Sequence, residues 1–143
     1  YLKLKKIIMS VEKNKKVVLD YVDAILRNRD FTNFSKFTTP DFYIDRSAVP
    51  DAIKGEEGLH TQMDMLYESF PDLELKVVDV VAEGDKVVVR FAAPGTHKAS
   101  FAGIEPTGRT VTWKGLVMYH VVGDKIKEAW ANWDDYGLIQ QLQ

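Results

Sequence analysis

The sequence contains no cysteine. Disulfides, thiolate metal sites and cysteine nucleophiles are therefore excluded, and a reducing cytoplasm is the expected setting. No apolar run approaches the roughly eighteen residues that a membrane span needs, so no membrane partner is expected. An excess of one charge is also missing. Nineteen Lys and Arg stand against 21 Asp and Glu, for a formal net charge of −2. No stretch is basic enough to mark a nucleic-acid surface. There are only three histidines. They fall on three separate predicted elements, which is not metal-ligand spacing, so no metal is expected. No internal repeat and no low-complexity linker interrupts the chain.

What remains is an ordinary globular composition of 143 residues, 45% hydrophobic and 28% charged, enough for one domain with one core. The opening "YLKLKKII" is too short for a secretory signal and lacks a small-residue cleavage site. Met9 followed by "SVEKNKK" resembles a natural start. Residues 1–8 are thus expected to be an upstream extension or a cloning scar, and 9–143 a single domain.

Ser10 is a plausible helix cap. After it, Val17, Val18, Tyr21, Val22, Ile25 and Leu26 recur at helical spacing. Asp30 can cap a second, short helix carrying Phe31, Phe34 and Phe37, stopped by Pro40. "DFYIDR" reads as a short strand and 47–55 as a loop. Leu59, Met63, Leu66 and Phe70 mark a third helix, ended before Pro71.

From Leu73 the period changes to two. "LELKVVDVVA", "VVVRFAA", "RTVTWKGLVMYHVV" and "KIKEAWANWD" read as strands, joined at "EGDK", "PTG" and "GD" by turns. Helices that precede a run of antiparallel strands argue α+β. A strongly curved antiparallel sheet wrapped over the N-terminal helices makes a cone with an apolar interior. Leu26, Phe34, Leu66, Phe70 and Phe91, on the apolar stripes of their elements, are expected to be nearly inaccessible.

Four stretches then carry a resemblance: "DYVDAILRNRDFTNFSKFTTPDFYI", "KGEEGLHTQMDMLYESFPDLEL", "GTHKASFAGIEPTGRTV" and "GDKIKEAWANWDDYGLIQQL". Together they resemble the SnoaL-like polyketide cyclases, cone-shaped α+β proteins of the nuclear transport factor 2-like superfamily. The resemblance runs from about Val11 to the C-terminus. Its most specific parts are "FPD" (70–72), "GTH" (95–97), "PTG" (106–108) and the ending Trp130, Asp134, Leu138, Gln141 and Leu142. It implies ring closure by intramolecular aldol condensation, without metal or cofactor. It also implies an acid/base aspartate four residues after a tryptophan, matched by Asp134 after Trp130, and a histidine on the preceding strand, matched by His120. Two positions depart from the family's cyclases: Asp45, where relatives often carry histidine, and Met118, where the cyclases carry a polar residue. Both point away from an anthracycline-type substrate.

An aldol closure needs a carbon acid deprotonated and a carbonyl oxygen protonated. A carboxyl desolvated in an apolar cone suits the second task, because burial raises its pKa towards neutrality. Asp134, walled by Trp130, is the candidate. Its alternative role is a cap for the turn "DDYG", a task Asp135 can also perform. For His120 the 123–125 turn decides. A two-residue loop groups it with Lys127 and Ala129. A three-residue loop with a bulge groups it with Met118, Trp130 and Asp134. Asn132 shares the parity of Trp130 and needs a partner if it faces inward. Tyr43, Met63, Tyr67, Trp113 and Met118 can line a pocket or be plain core. His97 sits at a strand end where it can line the rim, whereas His60 is expected to be solvated. Trp133 has the opposite parity to Trp130 and is expected on the outside, in or near a homodimer contact.

The expectation is a cofactor-independent enzyme acting on a small apolar carbonyl compound, as a cyclase or an isomerase. The alternative is a non-catalytic ligand-binding or dimerisation domain on the same scaffold.

Overall fold

The computed structural model describes every residue except Ala48. It begins with α1 (Leu2–Tyr21), continued by a π-helical segment at Val22–Arg27. The helix starts well before Ser10, so Ser10 is not its cap, and residues 1–10 are all exposed. The apolar stripe expected for α1 is the buried one: Val18, Tyr21, Val22 and Ile25 are each no more than 1% exposed. Asn14 ties the helix to a hairpin tip by donating to the carbonyl of Gly84 at 3.0 Å.

A four-residue helix, α2 (Phe34–Phe37), follows. Asp30 accepts from the amide of Thr32 and so makes a local turn rather than the cap of α2. Next come β1 (Thr38–Arg46), the short β2 (Ile53–Lys54) and α3 (Gly55–Ser69). The loop expected over 47–55 gives way to β2 and the start of α3 at its end, and at Ala48 it lies outside the described residues. The rest is β3 (Lys76–Glu83), β4 (Lys86–Thr96), β5 (Thr110–Val122), β6 (Lys125–Trp133) and a terminal helix, α4 (Asp135–Leu142).

The six strands form one sheet in the order β2-β1-β6-β5-β4-β3. Every pair is antiparallel except β1 with β6, which run parallel. Irregular register interrupts the β1–β6, β3–β4 and β5–β6 ladders. Such bulges add twist and bend a sheet, and here the sheet curls over α1 and α3 into a cone. Phe34, Phe70 and Phe91 are buried to 5% exposure or less, as their stripes predict. Leu26 and Leu66 are only half-buried because both stand on the wall of an internal cavity.

The β5–β6 hairpin orients the whole site. Val122 pairs with Lys125 across a two-residue turn whose first residue, Gly123, has φ of 64°. Val121 pairs with Ile126, yet His120 pairs with Glu128. Lys127 is therefore a bulge residue, and the parity of β6 changes there. One face of the hairpin carries His120, Met118 and Leu116 with Glu128, Trp130 and Asn132. The other carries Tyr119, Val117 and Gly115 with Ala129, Ala131 and Trp133. The second face points into the cone: Tyr119, Val117, Ala129 and Ala131 are at most 5% exposed, while Met118 and Leu116 are 40% and 48% exposed.

Candidate functional site

A cavity of about 100 Å³ lies between the sheet, α1 and α3, partly open to solvent. Met63 and Tyr67 of α3 line it, as do Trp113 of β5 and Trp133 of β6. The aromatic wall is continuous. The rings of Trp113 and Trp133 lie 4.3 Å apart, and Trp133 stacks on Phe91 at 5.6 Å. The tryptophans can approach this closely because residue 115 is a glycine. A Cβ there would sit 2.5 Å from the Trp133 ring.

Among the described residues, one full charge stands on this wall. Phe42, Ile44 and Arg46 alternate along β1 on its inward side, so the arginine takes a position the pattern reserves for an apolar residue. Its side chain is only 12% exposed. Asp135 compensates the charge, with a carboxylate oxygen 3.2 Å from Arg46 Nη2. The same carboxylate accepts from Trp113 Nε1 at 3.1 Å. The guanidinium also lies 5.8 Å from the Trp113 ring, within cation–π reach. Arg46, Asp135 and Trp113 thus form one cluster held from three elements.

Two tyrosines add polar groups elsewhere on the wall. Tyr21 and Tyr119 both line the cavity, with ring centroids 5.8 Å apart, edge to face. Burial drives both phenols well above their ordinary range, and Tyr119 raises Tyr21 further. The Tyr21 hydroxyl is buried with no hydrogen-bond partner among the described residues. Tyr67 is different: its hydroxyl donates to the carbonyl of Leu26 at 3.3 Å, and its ring carries Arg29 at 4.3 Å. Burial raises its pKa, and Arg29 opposes the rise.

The residues expected to accompany Asp134 are placed elsewhere. Asp134 is exposed and caps α4, accepting from the amide of Gly137 at 2.8 Å. Its place outside the cavity removes the desolvation on which an acid/base role would depend. Trp130, Met118, His120 and Asn132 do share one face, but that face is the outer one, because β6 changes parity at Lys127. Asn132 is exposed and bonded to Ser47. Tyr43 lies on the outward parity of β1 and donates to Glu128 at 2.5 Å. His120 places Nδ1 2.9 Å from Glu128 and Nε2 2.8 Å from Asp85, and a neutral ring can donate to only one of them. The Tyr43 and His120 contacts hold Glu128 below the usual carboxylate range.

His97 is fully buried instead of lining a rim. Its Nδ1 accepts from the amide of Thr107 at 3.1 Å, and its ring stacks on Phe70, which ties "GTH" and "PTG" into one structural unit. His60 is exposed and paired with Asp64. Trp133, expected outside, is a cavity wall. Of the expected pocket residues, Met63, Tyr67 and Trp113 come together. Arg46, Asp135, Tyr21 and Tyr119 were missed. A signal for Arg46 existed in the alternation Phe42, Ile44, Arg46.

A curved sheet closed over helices, with an apolar cavity and a partly buried ion pair on its wall, defines the class: an α+β cone. The family model for SnoaL-like polyketide cyclases matches residues 16–142, and the chain belongs to that family. AclR of Streptomyces galilaeus, provisionally assigned as a hydroxylase, is 27% identical, with 93% of this chain and 97% of that one covered at a TM-score of 0.78. IdmH of Streptomyces antibioticus, provisionally assigned as a polyketide cyclase, is also 27% identical, with 90% and 97% covered at 0.77. A SnoaL-like protein from Jannaschia sp. CCS1 shares the fold at a TM-score of 0.81, with 24% identity and 93% of each chain covered. No curated protein sequence matches significantly.

Proposed function

We propose that this protein is a cofactor-independent enzyme that polarises the carbonyl group of a small apolar compound held inside the cone. The observation that carries this reading is Arg46, a cation on the wall of a largely apolar cavity. In an aldol or enolisation step a base, here water at the open side of the cavity, takes a proton from the carbon beside a carbonyl, and the electron pair moves onto oxygen. A preorganised cation beside that oxygen stabilises the charge in a site with little water to screen it. Asp135 and Trp113 would act as positioning residues that fix the guanidinium. Family membership supports cyclase-type chemistry, and the cavity's size supports a substrate much smaller than a fused-ring polyketide.

A second reading is a ligand-binding domain without turnover. It is favoured by one observation: among the described residues, the cavity wall carries no carboxylate or imidazole to act as a base.

The test uses a short-chain 1,5-diketone, whose intramolecular aldol closure followed by loss of water gives an ultraviolet-absorbing cyclohexenone. The enzyme reading expects accelerated closure, reduced about a hundredfold in Arg46→Met, the loss typical of one oxyanion donor. Binding without acceleration would leave the second reading in place.

We also propose a twofold homodimer through the outer face of the sheet. Val81, Val88, Met118 and Trp130 pair in one row across four strands. Ion pairs flank this row: Arg90 with Asp79 on one side, and His120 with Asp85 and Glu128 on the other. An apolar centre with a charged rim is the anatomy of a protein interface.

A further inference from the structure

Among the described residues, the Tyr21 hydroxyl is a buried donor with nothing to donate to. Leaving such a group unpaired is destabilising, and phenylalanine would fill the same space without that penalty. Tyr21 is not on a remote part of the core. It stands on the cavity wall, with the ring of Tyr119 packed edge-on against it. Tyr119 pairs with Ala129 and lies in the row of Ile44, one pleat repeat from the row of Arg46 and Ala131. That repeat is about 7 Å. The tyrosines and the guanidinium therefore occupy different parts of one cavity.

We infer that Tyr21, with Tyr119 beside it, forms an oxygen subsite of the cavity that takes the carbonyl group of a small, uncharged ring or short-chain ketone. The inference rests on reading the cavity as a ligand site and adds the part of the ligand that Arg46 does not reach. The size of the ligand follows from the space. A cavity of roughly 150 Å³ holds one benzene ring, and this one is about 100 Å³. One small ring or a short chain fits once Met63, an unbranched and adaptable side chain on the same wall, repacks. The subsite takes a neutral acceptor rather than an acid group, because the phenols donate hydrogen bonds but bring no positive charge to this apolar pocket. A ligand with oxygens at both places would be a dicarbonyl compound, the substrate that an intramolecular aldol closure requires.

The test uses cyclohexanone and methylcyclohexane as probes, on protein carrying 13C at the tyrosine Cζ. The Tyr21 resonance, assigned by its loss in Tyr21→Phe, should shift with bound cyclohexanone and stay still with bound methylcyclohexane. Tyr21→Phe should bind cyclohexanone about tenfold more weakly and methylcyclohexane unchanged. The same variant should melt about 3 °C higher without ligand, since it discards an unpaired buried hydroxyl. The Tm readout verifies that the variant is folded. A Tyr21 signal that ignores bound ketone, or an unchanged ketone affinity in Tyr21→Phe, would overturn the subsite while leaving the cavity as a ligand site. If neither probe binds at millimolar concentration, the ligand-site reading falls and the subsite falls with it.

Discussion

Asp134 and Asp135 are neighbours with different work to do. Asp134 holds the first turn of α4 through the Gly137 amide and faces solvent. Asp135 neutralises Arg46 on the cavity wall and accepts from Trp113. Asp134→Ala should cost about 1 kcal/mol, the usual loss for a helix cap, and Asp134→Asn almost nothing, because asparagine caps as well. Asp135→Asn keeps the shape but leaves a 12%-exposed guanidinium without its counter-charge. It should cost about 1–3 kcal/mol and weaken carbonyl binding in the cavity. Urea melts of the three variants should rank Asp135→Asn as most damaging, then Asp134→Ala, then Asp134→Asn. A variant Asp134→Asn that melts like wild type yet loses turnover would return Asp134 to the chemistry.

At the scale of elements, apolar period and turn chemistry were enough to locate α1, α3, the four long strands and their hairpins. Two features were not legible, and both concern register. The parallel pairing of β1 with β6 joins segments far apart in sequence, and no local pattern encodes it. The bulge at Lys127 is a backbone irregularity. It detaches Lys127 from the parity of Ala129, so the lysine's charge carries no information about the face that Ala129 occupies. Ala129, Ala131 and Trp133 together were the better guide: small residues and one large aromatic on a single parity form the packed inner face. The same packing makes Gly115 sensitive. Gly115→Ala forces its Cβ against the Trp133 ring, so the ring must shift or the strand must yield. The expected cost is about 1–3 kcal/mol, typical of overpacking. Moving Trp133 should also alter the near-ultraviolet circular dichroism of the Trp113–Trp133 pair. Wild-type melting and an unchanged spectrum in Gly115→Ala would mean that Trp133 does not pack on residue 115.

At the scale of the whole molecule, the two faces of the sheet differ. The inner face closes the cavity, and the outer face leaves Leu116, Met118, Val122 and Val81 exposed by 40% or more. Burying Met118 and its row against a second copy would remove apolar area from water, at roughly 25 cal/mol per Å². Around a twofold axis each residue near the centre approaches its own copy, so one substitution acts twice. Met118→Glu would bring two carboxylates together in an apolar setting and should split the proposed dimer. The isolated fold should tolerate the change, because the side chain is already 40% exposed and points away from the core. Sedimentation equilibrium at about 10 µM, a concentration at which a dimer with low-micromolar or tighter affinity is largely associated, should give twice the chain mass for wild type. It should give a single chain mass for Met118→Glu, with far-ultraviolet spectra superimposed. The role of this face in assembly would be disproved by a wild-type protein that sediments as a monomer. A Met118→Glu variant that remains fully dimeric would place the contact elsewhere on the molecule.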